Sequence, residues 1–146
     1  MAPASPLRWL LDTNVLSNTP SKRPDAAVEA RLKLHKPEVA VPAPVWHELQ
    51  FGWLRMPAGV RRDRIGHYLR DVVARLPMLP YDEKAACLHA EHRAIAERAG
   101  RSQPYIDGQI AAIAVAHGLT LVTRNLKDFR DVAGLKVEDW FASAET

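Results

Sequence analysis

The chain of 146 residues has a single cysteine, Cys87. An internal disulfide and a thiolate metal cage are therefore excluded, and a reducing cytoplasm is the expected compartment. Long apolar runs are missing too: the longest, Ile110–Ala116, falls far short of the roughly 18 residues that mark a membrane span. At the N-terminus Asp12 interrupts the apolar stretch and no small-residue cleavage site follows, so no export signal is expected. Phosphate-cradling glycine loops are absent. An excess of charge of one sign is missing as well, the net being only +3, so any attraction for nucleic acid has to come from local patches. What remains is a chain long enough for one filled core, read as a single domain over residues 1–146.

Short β-prone runs alternate with longer helical ones, the pattern of an α/β domain with a mainly parallel sheet. Strands are expected at Leu7–Leu11, Val39–Val41, Pro77–Pro80, Leu119–Thr123 and Lys136–Glu138. The first is followed by a turn that Thr13 and Asn14 can cap. Pro24 opens a helix to about Lys36 with Ala27, Ala30, Leu34 and their neighbours inward, and Pro42 and Pro44 open another to about Arg55. A third spans Gly59–Leu76, with Ile65, Leu69, Val72 and Val73 at helical spacing. Asp82 caps Glu83–Ala99, which Gly100 stops, and Pro104 opens a last helix that Gly118 ends after His117. Cys87, among alanines, is expected in the core, and Trp46, Trp53 and Trp140 in the core or at a dimer contact.

Three carboxylates stand in awkward places. Asp12 follows Trp9, Leu10 and Leu11, at the end of a strand where open α/β sheets bind ligands, although an Asp there equally serves as a helix cap. Asp107 shares a helical face with Ile110, Ala111 and Ala114, a stripe that faces a core. The helix dipole explains an exposed first-turn acid better than an inward one. Glu48 sits beside Val45, Phe51 and Gly52 and alone reads as a surface glutamate. Together the three imply a cleft of mutually repelling acids that a hard divalent cation relieves, and metal-assisted phosphodiester hydrolysis follows as the reaction class.

At this point the residues resemble a family. Leu10-Leu11-Asp12-Thr13-Asn14-Val15-Leu16, Val45-Trp46-His47-Glu48-Leu49-Gln50-Phe51-Gly52, Asp107-Gly108-Gln109-Ile110-Ala111-Ala112-Ile113-Ala114 and Leu121-Val122-Thr123-Arg124-Asn125-Leu126-Lys127-Asp128-Phe129 are similar, in order and spacing, to the motifs of PIN-domain ribonucleases of the VapC toxin type. The resemblance implies a three-layer α/β/α sandwich with a mainly parallel central sheet and a Mg²⁺- or Mn²⁺-dependent endoribonuclease leaving 3′-hydroxyl and 5′-phosphate ends. It also implies an antitoxin that blocks the site, and a homodimer. Carried over by position, Asp12, Glu48 and Asp107 hold the metal, Asn125 joins them in catalysis, and Thr13, Asn14, Thr123 and Asp128 orient ligands or water. Asn125 departs from the family, many of whose members place an acid there, so a second metal loses one charge.

Residues 55–75 carry six arginines against two aspartates, a basic stretch that serves RNA or is merely solvated. Arg61 and Arg62 within it, and Arg124 beside the cleft, are the RNA-contact candidates. Other motifs fail on a residue: His47-Glu48 lacks the second histidine of a zinc protease, because position 51 is Phe51. Asn14 occupies the position where an aspartyl-phosphate phosphatase needs its second Asp. Arg124 replaces the late-strand lysine of a receiver domain. His89 and His92 share a helix without a third ligand. The non-catalytic alternative, binding of RNA or a protein without cleavage, rests on Asn125.

Overall fold

The computed structural model describes residues 6–142; residues 1–5 and 143–146 of the expected domain lie outside them. Among the described residues five strands form one sheet: β1 (Trp9–Leu11), β2 (Val39–Pro42), β3 (Met78–Leu79), β4 (Thr120–Val122) and β5 (Lys136–Glu138), in the order β3-β2-β1-β4-β5. Every neighbouring pair is parallel, so each connection must cross over. The helices are α1 (Thr13–Leu16), α2 (Ala26–His35), α3 (Ala43–Leu54), α4 (Val60–Asp71), α5 (Glu83–Arg98) and α6 (Tyr105–His117). β1 and β2 are buried at every position, which requires cover on both faces of the sheet. The expected three-layer α/β/α sandwich is thus the observed one.

The core joins Leu10 and Leu11 of β1, Val41 of β2 and Leu121 of β4 with Val15 of α1, Val45 of α3 and Ile110 and Ile113 of α6. α6 ends as its sequence predicts: Gly118 takes φ +66 and its N–H reaches back to Val115 O, a left-handed stop that a side chain resists. The chain turns back between β1, from which it first steps toward β2 and β3, and β4, on the other side. That reversal fixes a crevice at the C-terminal strand edges.

Four expectations change. Asp25, not Pro24, opens α2, with its Oδ1 accepting from the N–H groups of Ala27 and Val28. Its inner face is Val28, Leu32 and His35, while Leu34 is 71 % exposed. Val28 and Leu32 offer more apolar area than alanines, and the His35 ring stacks on Trp140 at 5.4 Å. The helix expected over Gly59–Leu76 breaks at Val72 into a 3₁₀ turn, Val73–Arg75. Val73 is thereby fully buried and Val72 left outside, and Pro77 keeps Leu76 extended for entry into β3. Cys87 is exposed: the buried stripe of α5 is Ala85, His89, His92 and Ala96, which Cys87 misses. The turn after β1 is capped by Asp12, which accepts from Thr13 N–H at 2.8 Å, rather than by Thr13 or Asn14. Trp140 is buried, whereas Trp46 and Trp53 are half-buried against the core.

Candidate active site

Asp12 and Thr123 follow adjacent strands, β1 and β4, at the same edge of the sheet. Strand pairing continues into them: Asp12 N–H donates to Val122 O and Thr123 N–H to Glu138 O, each at 3.0 Å. Thr123, fully buried, donates its hydroxyl to Asp12 Oδ2 at 2.8 Å. Asn14 crosses the same gap, its amide within 3.4 Å of Asp12 Oδ2 and 3.3 Å of Thr123 Oγ1. Its Oδ1 accepts from Arg124 N–H. Asp12 is therefore both the cap of α1 and the centre of a fixed polar network.

Glu48 enters from α3, one helical turn beyond Pro44, and is tied to β1's loop by Thr13 Oγ1 donating to Glu48 Oε1 at 3.2 Å. Asp107 enters from the first turn of α6. Burial is the largest cause lifting its carboxyl to about 6, with the charges of Asp12, Asp128 and Glu48 pushing the same way. Asp12 is also held above the ordinary carboxylate range, by burial first, with Glu48 and Asp128 adding to it and the Thr123 and Thr13 hydrogen bonds opposing. Acids from four segments of the chain share one field. Loss of a solvated carboxylate's water is costly without a counter-charge, and the ion pairs among the described residues lie elsewhere, at Glu38, Asp71 and Glu138.

Asp128 is the residue whose place the sequence left unsettled. The 3₁₀ turn Leu126–Asp128 folds it back so that its charge is felt at both Asp12 and Asp107. Asn125 is exposed, and its backbone N–H donates to Thr123 Oγ1 at 3.1 Å; it is the turn, not the amide side chain, that engages the network. Among the described residues no three acids or histidines stand close enough to form a ready-made metal cage. The fit to a cation lies instead in the donor chemistry: hard carboxylate oxygens that already repel one another in a partly desolvated cleft.

The basic candidates separate. Arg124 is exposed at the rim, its guanidinium 4.6 Å from the Phe141 ring. Arg62 covers Trp53 at 5.0 Å, with its Nε buried, so this arginine is committed to packing. Arg61 lines an apolar groove of about 490 Å³ that also includes Glu48, Trp53 and Met56, a feature that sequence patterning did not reveal because it joins α1, α3 and α4. His89 and His92 are buried, and burial lowers the pKa of each; neither belongs to a metal cluster among the described residues.

Thr123→Val tests the network. The valine keeps the volume but removes the donor to Asp12 and the acceptor for Asn125 N–H, and activity is expected to fall about 10–100-fold. Thermal unfolding should register a loss of roughly 1–3 kcal/mol from the unsatisfied partners. Unchanged turnover at full stability would mean the hydroxyl positions nothing.

The PIN domain family model matches residues 9–135. The chain is 32 % identical over 134 residues to the tRNA(fMet)-specific endonuclease VapC of Shigella flexneri, covering 92 % of this chain and 98 % of that one. It is 38 % identical over 134 residues to the VapC ribonuclease Y4jK of Sinorhizobium fredii, covering 88 % and 94 %. The crystal structure of DNA-bound VapBC from Salmonella typhimurium superposes with a TM-score of 0.78 at 28 % identity, over 92 % of this chain and 98 % of that chain.

Proposed function

The chain belongs to the PIN domain family, and from that premise we propose that it is a divalent-metal-dependent endoribonuclease acting as the toxin of a toxin–antitoxin pair. The observation that carries this reading is the convergence of Asp12, Glu48 and Asp107, joined by Asp128, into one field at the C-terminal sheet edge. Ribonuclease activity is what the names of the Shigella and Sinorhizobium relatives state of those proteins.

Asp12, Asp107 and Glu48 are the residues that would hold a divalent cation, Mg²⁺ or Mn²⁺. When bound, such an ion acidifies water and neutralises charge developing on the phosphoryl oxygens. Thr123 and Asn14 lock Asp12 in one rotamer, so its oxygens meet the ligand without reorganising. Thr13 does the same for Glu48. The turn at Asn125 keeps the Thr123 hydroxyl directed at Asp12 by occupying one of its lone pairs, while Asp128 adds negative charge that favours the cation over none. Arg124 at the rim attracts the RNA backbone that the acids repel.

The partner side follows the same premise. The Salmonella neighbour is a VapBC assembly on DNA, and an antitoxin is proposed to cover this site. The groove of α1, α3 and α4, with Phe51 of α3 more than half exposed in its lining, suits an apolar segment of such a partner. Residues 1–146 are proposed to act as one domain, in a homodimer and in the cytoplasm; no helix among the described residues is long and apolar enough to cross a membrane.

Purified protein freed of antitoxin, incubated with structured RNA and Mg²⁺ or Mn²⁺, is expected to cut it and to stop on chelation. Asp12→Asn should be inactive while folding normally. Cleavage that survives chelation, or persists in that variant, would sink the metal mechanism; RNA binding with no cleavage under any metal would favour the non-catalytic alternative.

A further inference from the structure

A second cleft, of about 300 Å³, opens beside the acids. It is built by the same two segments that deliver Asp107 and Asp128: the loop before α6 supplies Arg101 and Gln103, and the stretch after β4 supplies Lys127, Asp128 and Arg130. Asp128 thus borders both the cleft and the acidic field. One wall is apolar, from Ile95 of α5 and Val132, and the buried His92 ring lies in its floor. Ile95 is 44 % exposed, an uncovered aliphatic surface in a cleft whose lining sets Arg101, Lys127 and Arg130 against Asp128 and Asp131, an excess of one positive charge.

That combination has a chemical reading. Single-stranded nucleic acid is held where cations track the phosphates and an apolar or aromatic surface takes the face of an unstacked base. We propose that this cleft binds a nucleotide of the RNA strand next to the scissile phosphate, with its base against Ile95 and Val132 and its phosphate toward Arg101 and Arg130. The proposal rests on the RNA-cleaving reading above, because Asp128 belongs both to this cleft and to the acidic field where the phosphate is cut. The arginines supply attraction without sequence preference, and the wall supplies the contact that a double-stranded segment, with its bases paired and stacked, fails to make.

The test uses the full chain carrying Asp12→Asn and a short fluorescent single-stranded RNA, with affinity read by anisotropy across a salt series. Arg101→Ala and Arg130→Ala are each expected to weaken binding about fivefold and to flatten the salt dependence by roughly 0.7 in log–log slope per cation removed. Ile95→Ser is expected to weaken it by about fivefold with the slope unchanged, and to have no effect on a strand of the same length lacking its bases. All three positions are at the surface, and an unaltered melting curve checks the fold. Loss with the arginines alone, and none with Ile95→Ser, would mean diffuse charge rather than a nucleotide site and would overturn the proposal. Cleavage is read separately on the chain with Asp12 intact: cutting with unchanged affinities removes the cleft and keeps the nuclease, whereas no cutting removes the nuclease.

Discussion

Asp107→Asn is expected to lower RNA cleavage by more than about a hundredfold and, in metal-free buffer at pH 7.5, to raise the unfolding temperature. The two effects have one origin. Asp107 titrates at about 6 in the folded chain, mainly through burial and then through Asp12, Asp128 and Glu48, against about 3.9 when unfolded. Between those values the folded state binds more protons than the unfolded state, so stability falls as pH rises through the interval and stays lower above it. Asn carries no charge at any pH and escapes that penalty. It also lacks the negative charge that draws a hard divalent cation, and the loss of a single oxyanion-stabilising donor, about 10²–10³ in rate, sets the scale expected for such a change.

The measurement is a melting series from pH 4.5 to 7.5 on both chains in chelator. The parent should lose stability relative to the variant as pH climbs toward and past 6, and the two should converge at the acid end. His89 and His92, whose lowered pKa values make folding more favourable as pH rises toward 6.5, titrate in both chains and cancel in the difference. Adding Mg²⁺ should then stabilise the parent by mass action and leave the variant nearly unmoved. Equal melting curves at every pH would show that Asp107 is solvated and that the shared acidic field does not exist.

Gly108→Ala is expected to be the most damaging single-methyl change in the molecule. α5 and α6 pack side by side, and a methyl at Gly108 would overlap His89 Nε2 and stand 2.8 Å from its Cδ2, with Gln103 Oε1 at 3.2 Å. His89 has nowhere to retreat: it is 2 % exposed, its Nδ1 is hydrogen-bonded to Tyr81 Oη at 2.8 Å, and its ring lies 4.9 Å from that of Tyr105. Overpacking of this kind costs about 1–3 kcal/mol, which for a chain of this size is a fall of roughly 3–10 °C in unfolding temperature. Activity should drop further than stability explains, because the shift is delivered to the residue next to Asp107. The double variant Gly108→Ala, His89→Ala makes room for the methyl and should recover part of the lost activity. A Gly108→Ala chain with parental melting and turnover would mean that the helices part without consequence.

Much of this architecture was legible from local sequence. A Leu-rich or Val-rich run ended by Asp12 or Thr123 makes a buried parallel strand whichever partner it finds, and Asp82, Pro104 and Gly118 punctuate α5 and α6 through contacts within a few residues. The acids of the site were marked by the same logic, since a carboxylate at a strand end or on an apolar helical stripe conflicts with its surroundings wherever the segment is placed. The side on which a helix is buried was not local. Val28, Leu32 and His35 face inward, rather than Ala30 and Leu34, because Val28 and Leu32 bury more surface than an alanine and His35 has two tryptophans to pack on. Cys87 lies outside for the complementary reason, as α5 turns His89 toward the glycine of α6.

Sequence alone determined the element order, the parallel α/β class and Asp12, Glu48 and Asp107 as the residues in question, because hydrophobic periodicity and capping act over a few positions. Only the tertiary structure decided that Asp128 shares their field, that the Asn125 backbone N–H bonds Thr123, that Arg62 is committed to Trp53, and that a cleft of mixed charge adjoins the acids. Electrostatic fields and cavity shapes sum over neighbours in space, and those neighbours come from segments that the order of the chain keeps apart.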